Sequence, residues 1–183
     1  MSNPADIILL YALIPVWLAV GVLDWWCHKK AGIEHTSGTR ESILHLLMFI
    51  EAGIALLAGL FLEINALVLA FMLVLLMLHE LTAIWDLEYA DPRRKITTLE
   101  QHTHSFLEVL PFMAFSLLCC IYWEQFSALI GTGDATADFS LHWKRHALPQ
   151  FYVIAVLVCA ALIDMGVYIE ELYRCLKTAA DRS

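Results

Sequence analysis

The sequence predicts an all-α integral membrane protein, built as one transmembrane domain of about five helices over residues 1–183. Hydrophobic residues make up 60% of the chain and charged residues only 16%, whereas a soluble domain is about half apolar and about a quarter charged. The apolar residues fall into five stretches, each close to the roughly 20 residues with which a helix crosses about 30 Å of hydrocarbon. Backbone groups in lipid must find partners within their own segment, which favours helices. The predicted helices cover residues 7–26, 42–62, 64–85, 104–123 and 151–172.

The connections between these stretches suit a helical bundle. No Lys or Arg precedes the first stretch, while Lys29 and Lys30 follow it, so we expect a retained helix rather than a cleaved signal peptide. Little more than residues 63–65 separates the second helix from the third, and these two should therefore be antiparallel neighbours. The segment from Gly131 to Asp138 is rich in Gly, Thr and Asp and predicts a loop, and Pro149 marks the entry to the fifth helix.

The positive charges predict the orientation of the bundle. Of the 11 Lys and Arg residues, nine lie between helices one and two, between helices three and four, or after helix five. By the positive-inside rule these segments face the cytoplasm, which places the amino terminus outside and the carboxyl terminus inside. We therefore expect an integral protein of a bacterial inner membrane, with the lipid bilayer as its surroundings. The nine residues are Lys29, Lys30, Arg40, Arg93, Arg94, Lys95, Arg174, Lys177 and Arg182.

Charge and cysteine content exclude some classes of function. The formal net charge of −8 argues against a nucleic-acid-binding surface, because such proteins present clustered positive charge. The five cysteines show no C-x-x-C spacing and are expected to be small buried hydrophobic residues. No glycine-rich loop of the kind that binds phosphate is present.

Ionisable residues within or beside the apolar stretches carry the functional signal. Residues four or seven apart share one face of a helix, and four of the predicted helices each carry histidine and carboxylate at such spacings. The members are Asp24 and His28, Glu41 and His45, His79 and Asp86, and the run Glu100, His104 and Glu108.

These residues predict a metal site. Ionisable groups in a bilayer are costly and normally mark function, and imidazole mixed with carboxylate is a donor set for non-haem iron or zinc. The predicted metal ligands are Asp24, His28, His45, His79, His104 and Glu108. Additional ligands, or residues that support the ligands, are predicted at Glu41, Glu51, Asp86, Glu100, His102 and Asp164. No catalytic residue is assigned, and Glu170 and Glu171 are interpreted as interfacial charges.

The placement of histidines at the cytoplasmic ends of transmembrane helices resembles the integral-membrane, histidine-rich di-iron enzymes of the fatty-acid hydroxylase and desaturase class. The resemblance covers the region from Asp24 to Glu108. Where that class carries H-x-x-x-H and H-x-x-H-H boxes, this sequence has Asp24-x-x-x-His28, Glu41-x-x-x-His45 and His102-x-His104. Its larger share of carboxylates is similar to that of the helix-bundle di-iron carboxylate proteins, although their E-x-x-H spacing is missing.

The leading hypothesis from sequence is a di-iron oxidase or hydroxylase that acts on a lipophilic substrate at the cytoplasmic face. It implies two iron ions and an electron donor as a partner. A zinc-dependent membrane hydrolase, which needs fewer ligands, is the alternative enzyme. The alternatives that are not enzymes are a b-type haem electron carrier using His45 and His79, an ion or proton transporter using Glu51 and Asp164, and a structural membrane subunit.

Overall fold

The computed structural model describes residues 3–182, and this part of the chain is all-helical and contains no strand. The helices are α1 (Pro4–Ala31), α2 (Thr39–Phe61), α3 (Ala66–Ala90), α4 (Thr98–Ile121), the short α5 (Trp123–Leu129) and α6 (Gln150–Ala180). Wider π-helical turns interrupt α1 at Leu9–Leu13 and α6 at Cys159–Asp164. All except α5 are long and apolar enough to cross a membrane, so the prediction of an all-α bundle with five candidate membrane spans is confirmed.

The five long helices extend beyond the predicted apolar stretches mainly at one end of the bundle. There α1 ends at residue 31 instead of 26, α3 at 90 instead of 85 and α6 at 180 instead of 172. At the same end α2 begins at residue 39 instead of 42 and α4 at 98 instead of 104. An apolar stretch ends where charged residues begin, but the helix continues as long as its backbone hydrogen bonds are made.

Local sequence explains several helix boundaries. Thr97 and Glu100 form a capping box at the start of α4, in which the Thr97 hydroxyl accepts from the Glu100 N–H at 3.2 Å and the Glu100 carboxylate accepts from the Thr97 N–H at 3.3 Å. Asn65 caps α3 by accepting from the Val68 N–H at 3.1 Å. Gly32 ends α1 with φ of 66°, a left-handed conformation that favours glycine.

The five long helices close into a ring. Around this ring α1 packs against α4, α4 against α3, α3 against α2, α2 against α6, and α6 against α1. Apolar side chains fill the interior at the end where α2 turns into α3, including Ala58, Val68, Leu69 and Met72. The opposite end of the interior holds buried ionisable side chains.

The outer surface of the ring suits a lipid bilayer. Large apolar side chains are exposed along it, for example Leu81 at 63% and Leu162 at 72%, and a soluble protein rarely leaves such a surface to water. At the end that holds the ionisable side chains, Lys29 lies over Trp25, Lys30 over Trp26 and Arg40 over Trp85. Aromatic and basic residues combined in this way are typical of a membrane boundary.

Candidate metal centre

Nine ionisable side chains meet inside one end of the ring, and we call them the polar cluster. All five long helices contribute to it: α1, α2 and α4 each provide a histidine and an acid, and α3 and α6 each provide one acid. The loop between α3 and α4 contributes an arginine. Eight of the nine are buried, and only the His104 side chain, at 18% exposed, is less so. The members are Asp24, His28, Glu41, His45, Asp86, Arg94, Glu100, His104 and Glu171.

A single carboxylate orients two histidines at the centre of the cluster. Glu171 lies 3.2 Å from His28 Nδ1 through one oxygen and 2.8 Å from His45 Nδ1 through the other. The two imidazole rings stack with centroids 4.2 Å apart and planes 8° apart. Because an ionised carboxylate only accepts hydrogen bonds, each Nδ1 carries its proton. The two Nε2 atoms therefore lie side by side as potential ligands on the other edge of the stack.

Carboxylates surround both Nε2 atoms. His28 Nε2 is 3.3 Å from Glu100 and 3.6 Å from Asp24. His45 Nε2 is 3.4 Å from Asp86 and 3.9 Å from Glu41. Two ligand atoms bound about 2.1 Å from one ion are about 3 to 3.5 Å apart. The separations of 3.3 and 3.4 Å suit shared coordination, whereas those of 3.6 and 3.9 Å are longer than this range. Both Nε2 atoms are buried without a hydrogen-bond partner among residues 3–182.

Two overlapping sets of side chains could each hold a metal ion. Asp24, His28 and His104 form the first set, in which His104 Nε2 is 3.0 Å from Asp24. His28, Glu41 and His45 form the second set. Within each set the ligand atoms all lie within 4.8 Å of one another. Since two-metal sites in enzymes place their ions about 3.5 to 4 Å apart, the 4.2 Å stack of His28 on His45 has a spacing suited to one ion on each ring.

Arg94 supplies a permanent positive charge to the cluster. Its guanidinium donates to both oxygens of Glu41 and lies 2.5 Å from Glu100. Burial alone lowers the pKa of Arg94, but the hydrogen bonds to Glu41 and Glu100 outweigh burial and raise the pKa above its ordinary value. With neutral histidines, five buried carboxylates against one guanidinium leave four uncompensated negative charges, which two divalent cations would neutralise.

A largely apolar cavity opens beside the cluster. It has a volume of about 100 Å³, and Asp24, His45, Asp86 and His104 form its polar end. A second cavity of about 110 Å³ adjoins it, and the two share four lining residues, Trp17, Ala52, Leu56 and His79. Met72, which lines the second cavity, is 14 residues from Asp86 on α3, so the pair extends roughly 20 Å along the bundle.

The structure brings together four of the six predicted ligands and separates the other two. Asp24, His28, His45 and His104 all belong to the polar cluster. His79 instead lies beside Glu51, with His79 Nδ1 and a Glu51 oxygen 3.9 Å apart, and Glu108 lies further along the cavity wall. Of the additional residues predicted, Glu41, Asp86 and Glu100 join the cluster, whereas Glu51, His102 and Asp164 do not; His102 is exposed.

Sequence reasoning missed two members of the cluster. The interpretation of Glu171 as an interfacial charge is wrong, because its side chain is fully buried between His28 and His45. The sequence did contain an indication that Glu171 faces the interior, since Asp164 and Glu171 are seven residues apart and share a helix face. Arg94 lies in the basic run Arg93-Arg94-Lys95, and nothing in that run marks its middle residue as buried.

Comparison with protein-family models, with functionally characterised proteins and with solved structures found no match to the chain. The functional assignment therefore rests on the chemistry of the polar cluster and of the cavities beside it.

Close packing of α1 on α6 beside the cavity leads to a prediction about stability. A Cβ atom at Gly21 would lie 2.8 Å from Asp164 Oδ1 and 3.5 Å from the Tyr168 hydroxyl. We expect Gly21→Ala to displace the Asp164 carboxyl group and to lower the free energy of unfolding by about 1–3 kcal/mol. Thermal unfolding in detergent measures the effect. Gly53→Ala is the matched control, because its Cβ meets nothing within 4 Å and alanine favours a helix; equal losses in the two variants would contradict the prediction.

Proposed function

We propose that this chain is a membrane enzyme with a dinuclear metal centre, built from the polar cluster. The observation that carries the proposal is the stacked pair His28 and His45, held through both Nδ1 atoms by Glu171. Metal-bound histidines almost always donate their second ring nitrogen to a carboxylate or carbonyl, which fixes the tautomer and orients the ligand. Here one carboxylate does this for two histidines, and both free nitrogens face further carboxylates.

The contacts suggest which residues hold each ion. One ion would be bound by His28, Asp24 and His104, with Glu100 nearby. The other would be bound by His45 and Asp86. Glu41 belongs to the candidate set that contains both stacked histidines and would help to hold the metal, while both of its oxygens also accept from Arg94. The side of the centre away from the cavity is formed by fully buried residues: His28, Glu41, Glu100 and Glu171. The residues that line the cavity form the side that a substrate would reach.

We propose iron as the metal and oxidation or hydroxylation of a lipophilic molecule as the reaction. Mixed imidazole and carboxylate ligation suits non-haem iron, and bundles that hold two irons use acids and histidines from facing helices. Two irons would supply the activation of dioxygen. The positive-inside pattern suggests that the centre faces the cytoplasm of a bacterial inner membrane, where a soluble or membrane electron donor would reach it.

The protein's own part in such a reaction is to bind and shield the substrate. The apolar walls of the two cavities would hold a hydrocarbon segment and keep water from the reacting carbon. The polar end of the first cavity is formed by Asp24, His45, Asp86 and His104. A hydrocarbon chain inserted along the bundle axis would therefore present one of its ends to these residues.

Specific observations count against the alternatives that are not enzymes. A transporter needs polar groups along the whole path, whereas the far half of the second cavity is lined by apolar side chains such as Leu9, Ile14 and Leu118. A haem carrier would use His45 and His79, but His45 stacks on His28 and lies among Glu171, Asp86 and Glu41, a donor set suited to small cations.

Metal analysis of the detergent-purified protein tests the proposal. We expect about two irons per chain and no haem absorption band. His45→Ala should keep only about one ion, because His45 is a ligand of one ion and the ligands of the other remain. His102→Ala is the matched control, since His102 is exposed and two residues from His104. It should keep the wild-type metal content.

Other results would change the assignment. About one zinc per chain would favour the hydrolase. Protein isolated from metal-supplemented cells without any bound metal would refute the dinuclear centre and leave the cluster as a network of buried ion pairs. Where iron is found, consumption of oxygen with lipid substrates and a reductant tests the reaction itself.

A further inference from the structure

The wall of the first cavity carries polar side chains that the metal centre does not use, and two of them, His79 and Asp164, have unpartnered buried atoms. His79 on α3 is 8% exposed and Asp164 on α6 is 3% exposed, and both line this cavity. His79 also contacts the backbone of Met48. His79 Nδ1 and Asp164 Oδ2 have no hydrogen-bond partner among residues 3–182; the Glu51 oxygen nearest to His79 Nδ1 is 3.9 Å away, beyond hydrogen-bonding distance. Buried polar atoms of native proteins almost always have a partner, so a ligand that supplies one is expected.

The two side chains lie at the same depth in the bundle. His79 is seven residues from Asp86 on α3, and Asp164 is seven residues from Glu171 on α6. At 1.5 Å per residue, both lie about 10 Å from the polar cluster, measured along the bundle axis. The neighbouring wall is apolar, with Leu18, Ala52 and Leu56. The cavity therefore has a polar level at His79 and Asp164, bordered by apolar side chains on the side away from the polar cluster.

Asp164 combines an irregular helical backbone with a buried carboxyl group. Asp164 ends the π-helical turn Cys159–Asp164, and such turns inside helices are frequent at functional sites. Opposite this turn stands Gly21, and any larger residue there would meet the Asp164 carboxyl group.

We propose that the two cavities bind a lipid whose apolar chain carries an interior hydroxyl group, hydrogen-bonded by His79 and Asp164 about 10 Å from the polar cluster. A hydroxyl group suits both partners because it donates one hydrogen bond and accepts others. The rest of the chain enters the second cavity, whose far half is apolar. The inference rests on the proposed function only in assigning the other end of this lipid to the reaction.

Binding to metal-free protein tests the inference separately from the metal centre. Chelator-treated protein in detergent is equilibrated with radiolabelled octadecan-9-ol or with octadecane, which lacks only the hydroxyl group. We expect the alcohol to bind about tenfold more tightly, the gain from one to two hydrogen bonds that satisfy buried groups. Equal affinity for the two compounds overturns the inference without any variant.

Substitutions locate the contact. Asp164→Leu and His79→Leu should each reduce the preference for the alcohol by about fivefold, while Asp164→Asn, which keeps hydrogen-bonding groups, should retain much of it. Glu80→Leu is the matched control, because Glu80 is adjacent to His79 but lines neither cavity. A preference that survives in both leucine variants overturns the inference. Metal content of the same protein, measured before chelation, shows whether the proposed function fails independently.

Discussion

Glu171→Gln is expected to lower the metal content from about two ions per chain to about one. The carbonyl oxygen of the glutamine side chain can accept a hydrogen bond from one Nδ1. Its NH2 group can only donate, so it cannot accept from the other Nδ1. The histidine beside the amide must then lose its Nδ1 proton and carry a proton on Nε2, which blocks that nitrogen as a ligand. Substitution of residues that orient metal-bound histidines typically costs 10- to 100-fold in metal affinity. Metal analysis of the purified variant measures the loss.

The neighbouring acid provides a matched control for this experiment. Glu170 is the same residue type one position earlier, but its side chain is 39% exposed and pairs with Lys29 and Trp25 at the surface. Glu170→Gln should keep the wild-type metal content. Glu171→Ala removes the acceptor from both histidines and should lose both ions. If Glu171→Gln binds metal as wild type does, the paired orientation of His28 and His45 by this carboxylate is not what creates the site.

Arg94→Met is expected to destabilise the metal-free protein by about 3–5 kcal/mol. Glu41 and Glu100 are both fully buried and both contact this guanidinium, so its removal leaves buried negative charge without its cation. Bound metal ions would supply positive charge in the same place, and the loss should therefore be smaller in metal-loaded protein. Unfolding by a denaturing detergent, with and without prior chelation, measures both values.

The adjacent arginine serves as the control for Arg94. Arg93 is exposed, lies over the ring of Tyr89 and donates to the Tyr89 carbonyl at 2.5 Å. Arg93→Met should change the free energy of unfolding by less than about 1 kcal/mol. The explanation would fail if the Arg94 and Arg93 variants were equally stable, or if metal loading did not reduce the loss in Arg94→Met.

Several features of the site were predictable because they depend on one helix at a time. Asp24 with His28, and Glu41 with His45, are four residues apart, and this spacing aligns side chains on any α-helix. Glu100 was predicted as part of a run leading into helix four, and its capping box with Thr97 fixes where α4 begins. Each of these predictions needs only the 3.6-residue period and local hydrogen bonds.

Other features depend on how each helix is rotated within the ring. Glu170 and Glu171 are adjacent in sequence, yet their side chains point about 100° apart, and packing against α1 and α2 decides which of them is buried. His79 was predicted to join His45, but the structure places it about 10 Å along the bundle from Asp86, beside Glu51. Spacing gives depth along one helix, but neither hydropathy nor spacing tells how each helix is rotated or which residues of different helices lie at the same depth.

The sequence by itself determined that the chain is helical, that five of its helices are long and apolar enough to cross a membrane, and that one end carries histidines paired with acids on shared faces. These properties follow from helix length and helix period, which are local. Only the tertiary structure decided that Glu171 joins two stacked histidines, that Arg94 folds inward between Glu41 and Glu100, and that His79 and Asp164 remain apart from the cluster. Those contacts join residues up to 143 positions apart in the chain, so they depend on the packing of all five long helices rather than on any one of them.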